Sequence, residues 1–128
     1  MELTRIAPKD RQYIQKYNSS GFTVSSIEFS GPILVFADVS LPWTVESLDP
    51  MAPLLFETVF ERAGSIDLCL LGCGHGMRRL PIEVKVAFKE HGIGVEAMDT
   101  GAACRTFNVL LAEGRSLAAA LIPPISHV

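Results

Sequence analysis

The sequence predicts an α/β fold: one three-layer domain with a mixed, largely parallel central sheet and an N-terminal β-hairpin. Three observations carry that expectation. From residue 53 onward, segments with helical apolar spacing alternate with short apolar runs rich in strand formers. Strands separated by helices are joined by right-handed crossovers, which makes neighbouring strands parallel. With 128 residues, 48% of them hydrophobic, the chain has the length and the apolar content of a single core.

Residues 1–20 are polar and read as an N-terminal arm ahead of a single α/β domain over 21–128. From Gly21, Phe22 and Val24 alternate with polar neighbours, and Ile27 and Phe29 then do the same with flipped parity. A one-residue slip turns side chains to the opposite face, so a bulge or bend is expected at Ser25-Ser26. Ser30-Gly31-Pro32 supplies a turn, and the apolar run Ile33–Ala37 completes an antiparallel hairpin. Leu41–Met51, with Pro42, Trp43 and Pro50, reads as a loop in which Trp43 anchors to the core.

A helix is expected over 53–63. Pro53 suits a first turn, the stripe Ala52, Leu55, Phe56, Val59 and Phe60 has helical spacing, and Gly64 ends it. A strand follows over 66–71 and runs into the turn Gly72-Cys73-Gly74-His75-Gly76. Pro81 opens a helix to His91, with Glu83 in its first turn, Lys89 and His91 in its last, and Gly92 as its stop. The strand 93–98 leads to Asp99 or Thr100 as cap of a helix over 101–113 with the stripe Ala103, Phe107, Leu110 and Leu111. After Gly114, a last strand over 116–122 closes on Pro123-Pro124.

Composition narrows the function classes. Eleven Lys and Arg against fourteen Asp and Glu leave a net charge of −3 without a basic block, so no nucleic-acid partner is expected. No apolar run approaches the roughly 18 residues of a transmembrane segment. Met1–Asp10 carries mixed charges and no apolar stretch, which predicts neither a secretory signal nor a transit peptide. Three cysteines do not make a disulfide framework, and a cytoplasmic home is expected.

The strand-to-glycine turn at Gly72–Gly76 is how nucleotide and S-adenosylmethionine sites begin, because glycines let backbone approach a ligand near a helix N-terminus. Against that, the G-x-G-x-x-G spacing fails at Met77, and Met77–Leu80 separate the glycines from the next helix. Cys69, Cys73 and His75 lack the second pair that a metal site requires, while His91 and His127 stand alone, so no metal is expected. Cys104 lies in the first turns of a helix, where the dipole favours a thiolate, yet no neighbouring base is visible; a space-filling thiol is the plainer reading. No catalytic set and no cofactor emerge.

Gly92-Ile-Gly-Val-Glu-Ala-Met-Asp-Thr-Gly-Ala-Ala-Cys-Arg-Thr-Phe-Asn-Val-Leu-Leu-Ala-Glu-Gly-Arg, followed by the strand Leu117–Ile122 and Pro123, closely resembles the signature of a small domain family. That family includes the mitochondrial respiratory complex I assembly factor 3. Asp67-Leu-Cys-Leu-Leu-Gly-Cys-Gly and the segment Gly31-Pro-Ile-Leu-Val ahead of Trp43 resemble its upstream parts, so the likeness spans residues 21–124. The resemblance implies a three-layer α/β domain and a family largely without demonstrated enzymatic activity. Its mitochondrial members act in assembling a respiratory complex, which makes a respiratory subunit the implied kind of protein partner. By matching position, the shared turn falls on Gly72 and Gly74. The shared junction falls on Asp99, Thr100, Ala103, Thr106, Phe107 and Asn108. The chain departs at Cys73, where the family often has threonine, and it reads as a bacterial-type member.

Two functions are therefore expected in order: a non-catalytic interaction or assembly protein, then a small-ligand domain or enzyme using Gly72–Gly76 and Asp99–Arg105. If strands 66–71 and 93–98 are parallel, the loops after both emerge at one edge of the sheet, where crevices form. That edge would gather Gly72, Gly74, Arg78, Arg79, Asp99, Thr100, Arg105 and the thiols Cys73 and Cys104. Three arginines there would suit an acidic peptide or a small anion.

Overall fold

The computed structural model describes residues 1–3 and 11–124; residues 4–10 of the expected arm, and His127, lie outside them. Three strands come first: β1 (Ile14–Asn18), β2 (Gly21–Val24) and β3 (Ile27–Ser30), antiparallel and in that order. The N-terminal hairpin is present, but its turn is Ser25-Ser26 and not Ser30–Pro32. Ser25 and Ser26 have φ of 49° and 70°, the backbone of a two-residue turn whose twist matches its strands. The parity flip is thus a chain reversal and not a bulge, and Val24 faces Ile27 while Phe22 faces Phe29. β1 falls inside the polar stretch 1–20, and of its own five residues only Ile14 and Tyr17 are large and apolar. Its free side is bridged by Met1–Leu3, with Leu3 N–H donating to Gln15 O at 2.8 Å and Tyr17 N–H to Met1 O at 3.0 Å.

The remaining strands, β4 (Ile33–Val35), β5 (Ser40–Pro42), β6 (Leu68–Cys73), β7 (Gly94–Met98) and β8 (Leu117–Ile122), form a mixed sheet in the order β5-β4-β8-β6-β7. β4 therefore does not pair with β3; it runs antiparallel to β5 and β8, whereas β8-β6 and β6-β7 are parallel. β5 lies partly in the stretch expected as loop. It is an edge strand, the place where a proline such as Pro42 is tolerated in a sheet.

Both faces of this sheet are covered, which makes three layers. Alternate side chains go to opposite faces. Leu34, Cys69, Leu71, Ala118 and Ala120 join Trp43, Phe56, Val84 and Phe88 on one side. Ile33, Val35, Leu70, Ala119 and Leu121 join Ile14, Phe22, Ala103 and Phe107 on the other. The first layer holds α1 (Glu57–Phe60) and α2 (Ile82–Glu90); the second holds α3 (Thr100–Ala112) and the three-stranded sheet. Among the described residues no helix is long and apolar enough to cross a membrane.

The helix expected over 53–63 is instead a 3-10 turn Pro53–Phe56, the single turn of α1, and a second 3-10 turn Ala63–Ser65. Trp43 accounts for part of this. Buried as expected, it donates its indole N–H to Leu55 O at 2.8 Å, engaging the carbonyl that Val59 would use in an unbroken helix. The apolar spacing still places Phe56 and Val59 in the core, with the Phe56 and Phe88 rings edge to face at 5.1 Å.

Candidate binding site at the carboxyl edge of the sheet

β6 extends two residues beyond its expected end, so Gly72 and Cys73 belong to the strand, with Gly72 opposite Met98 on one side and Leu121 on the other. A Cβ at Gly72 would lie 2.8 Å from a Leu121 methyl carbon and 3.1 Å from Thr100 Cα. The glycine is therefore what lets α3 begin so close to the sheet. Gly74 turns the chain with φ of 88°, a region side chains disfavour.

Thr100 then joins three segments. Its hydroxyl accepts from Gly74 N–H at 2.8 Å and donates to Ile122 O at 2.5 Å, while its own N–H donates to Gly74 O at 2.9 Å. Of the two candidate caps, Asp99 takes the position: its carboxylate accepts from Ala102 N–H at 2.9 Å. Gly72, Gly74, Asp99 and Thr100 are thus brought together, and the loops after β6 and β7 are neighbours. Much of their hydrogen-bonding capacity is spent within the chain, since the Gly74 N–H and the α3 cap both have partners.

Arg78 reaches the loop before Pro50 and pairs with Asp49; the two side chains are 40% and 69% exposed. A pair so exposed is worth at most about 1 kcal/mol, so Arg78 remains available to another anion. Arg79 and Arg105 are exposed, the latter on α3 beside Gly101, over which the Tyr17 hydroxyl lies. Beside Cys73 and Arg78 opens a cleft of about 440 Å³, completed by Ser19, Glu46, Leu48 and Pro123.

The thiols are not gathered. Cys73 packs at the margin of the first apolar cluster, whereas Cys104 is buried in the second. Burial pushes Cys104 up to about 12, the nearby Arg105 charge opposing it only weakly, and pushes Cys69 up to about 12 as well. Half-buried Cys73 is also raised, burial outweighing the Arg78 N–H and charge that pull it down. None of the three is a ready nucleophile at neutral pH. Among the described residues no group of three His, Cys, Asp or Glu side chains could hold a metal ion.

Two contributors escaped the sequence. Asp49 carries no signal there, being one acidic residue in an aperiodic loop. Asn108 is named by the resemblance only as part of the shared junction, and its contact is not read there: it is buried and bonds both backbone groups of Ile14, and a polar residue on an apolar helix stripe is the sign that could have led to it.

The comparison with protein families matches residues 14–122 to DUF498, described as a protein of unknown function (DUF498/DUF598). The chain belongs to the DUF498 family. The DUF498 chain is 38% identical over 112 residues to rat NADH dehydrogenase [ubiquinone] 1 alpha subcomplex assembly factor 3, covering 88% of itself and 60% of that protein. It is 36% identical over 110 residues to an uncharacterised protein of Rhodobacter capsulatus, covering 86% of itself and 83% of the other. Among solved structures it resembles one described as an outer membrane protein from Bartonella henselae, with a TM-score of 0.81, 34% identity and coverage of 90% and 97%. A Bordetella pertussis protein described as an Mth938-like domain has a TM-score of 0.78 at 26% identity, with coverage of 100% and 96%. These likenesses agree with the mixed α/β architecture with an N-terminal hairpin described above.

Proposed function

We propose that this DUF498 chain is a non-catalytic interaction protein that assists assembly of a respiratory complex. The observation that carries the reading is the likeness to assembly factor 3, which runs through 88% of the chain and not through one motif. The chemistry at the sheet edge is in keeping with it: burial holds the thiols protonated, and the α3 cap is filled by Asp99. A reducing, cytoplasmic compartment fits three cysteines that form no disulfide. The test is a pull-down of the tagged chain from native membranes. Enrichment of respiratory-complex subunits over a tag-only control is expected, and its absence would sink the reading.

The carboxyl edge is the surface this reading assigns to binding, through Arg78, Arg79 and Arg105 at the surface, with Gly72, Gly74, Asp99 and Thr100 shaping the loops beneath them; Cys104, expected there, is buried in the core under α3 and offers no contact. Replacing Arg78, Arg79 and Arg105 with glutamate is expected to cut partner recovery at least tenfold in a folded protein. Undiminished recovery would rule that edge out. A second reading, binding of a small anionic ligand, is favoured by the cleft beside Arg78. Thermal-shift measurements with nucleotides and S-adenosylmethionine separate the two: a shift of several degrees abolished by the triple substitution supports the ligand reading.

A further inference from the structure

The margin of the five-stranded sheet away from the hairpin is β7, which pairs with β6 alone. Gly94 N–H donates to Asp67 O at 2.8 Å, so Gly94, Glu96 and Met98 direct their backbone groups toward β6. Val95 and Ala97 therefore turn their N–H and C=O groups outward, where no described strand meets them. The opposite margin, β5, is only three residues long and ends in Pro42, whereas β7 has five residues without proline. An open edge of this kind is a template for one more strand.

The side chains say which strand. Register places Val95 and Ala97 opposite Cys69 and Leu71 on the α2 face, and Glu96 opposite Leu70 on the α3 face. Glu96 is exposed at the middle of the edge and makes no ion pair among the described residues. Because its backbone points inward, an antiparallel newcomer meets Glu96 at a non-hydrogen-bonded position, where cross-strand neighbours come closest, about 4.5 Å between Cα atoms. A second copy that used all four outward groups would set Glu96 against its own equivalent, and like charges directly opposite are destabilising. A lysine or arginine there is instead attracted.

We propose that β7 is a β-augmentation site for an extended segment of a protein partner that carries a basic residue between two β-branched ones. The basic residue faces Glu96, and its neighbours extend the Val95 and Ala97 side of the sheet. This surface is separate from the carboxyl edge, and its test requires no respiratory subunit, so either can fail alone. The probe is the capped peptide Thr-Val-Lys-Val-Thr, titrated into the isotopically labelled chain and followed by amide shifts. Saturable shifts over Gly94–Met98 are expected, with the glutamate-centred analogue at least tenfold weaker. Glu96→Lys should invert that preference. Ala97→Pro, which removes only an outward N–H, should abolish binding while leaving the β6 amides in place. The proposal is overturned by shifts that map to β3 or elsewhere, by equal affinity for the two peptides, by no saturable binding, or by concentration-dependent β7 shifts without peptide.

Discussion

A single hydroxyl holds the carboxyl edge. Thr100 Oγ1 is the only side-chain atom among the described residues to bond both Gly74 N–H and Ile122 O. Thr100→Val keeps the shape and strands both groups, which costs about 1–3 kcal/mol when a buried partner is lost. Urea unfolding should record that loss with an unchanged slope. The thiols make a second prediction. Cys69 and Cys104 titrate near 12 when folded, against an ordinary thiol value of 9.0. A raised folded value stabilises fully below the unfolded one and is lost as pH climbs toward the folded one. Stability should therefore fall between about pH 9 and 12, more gently in a Cys69→Ala, Cys104→Ala variant, as read by unfolding midpoints across that range. Asp99 and Thr100 were legible as a junction because caps follow local rules. The pairing of Arg78 with Asp49 was not, since a contact between two aperiodic loops leaves no mark on either.

At the scale of elements, the run β6-α2-β7-α3-β8 was readable from apolar spacing and glycine stops. Those segments bury one regular stripe or both faces of a strand, and burial of that kind is written in periodicity. β1 and β5 were not readable. Each is short, and β1 fully buries only Ile14 while β5 fully buries none of its residues, too few to mark a period in the sequence. α1 failed for a different reason: its stripe is helical, but Trp43 from another segment engages the Leu55 carbonyl. The three-stranded sheet is tied to α3 by Asn108, whose amide accepts from Ile14 N–H at 3.1 Å and donates to Ile14 O at 3.0 Å. Asn108→Ala should destabilise by about 1–3 kcal/mol by leaving both Ile14 groups buried and unpaired. Hydrogen exchange should show protection lost first in β1 and β2, with β6 and β8 retained.

For the molecule as a whole, the Asn108 join spans 94 residues of sequence, and β4 likewise waits for β8 at the far end of the chain. The consequence is temporal. At translation rates of 5–20 residues per second, Ile14 is synthesised about 5–20 s before Asn108. During that interval the first three strands have no apolar layer to sit on, and β4 has no central neighbour. In refolding experiments the amides of β1 should accordingly gain protection after those of β6, β7 and β8; simultaneous protection would contradict this order. In the cell, the nascent amino-terminal half is the part that must be kept from pairing with other chains until the last strand is made.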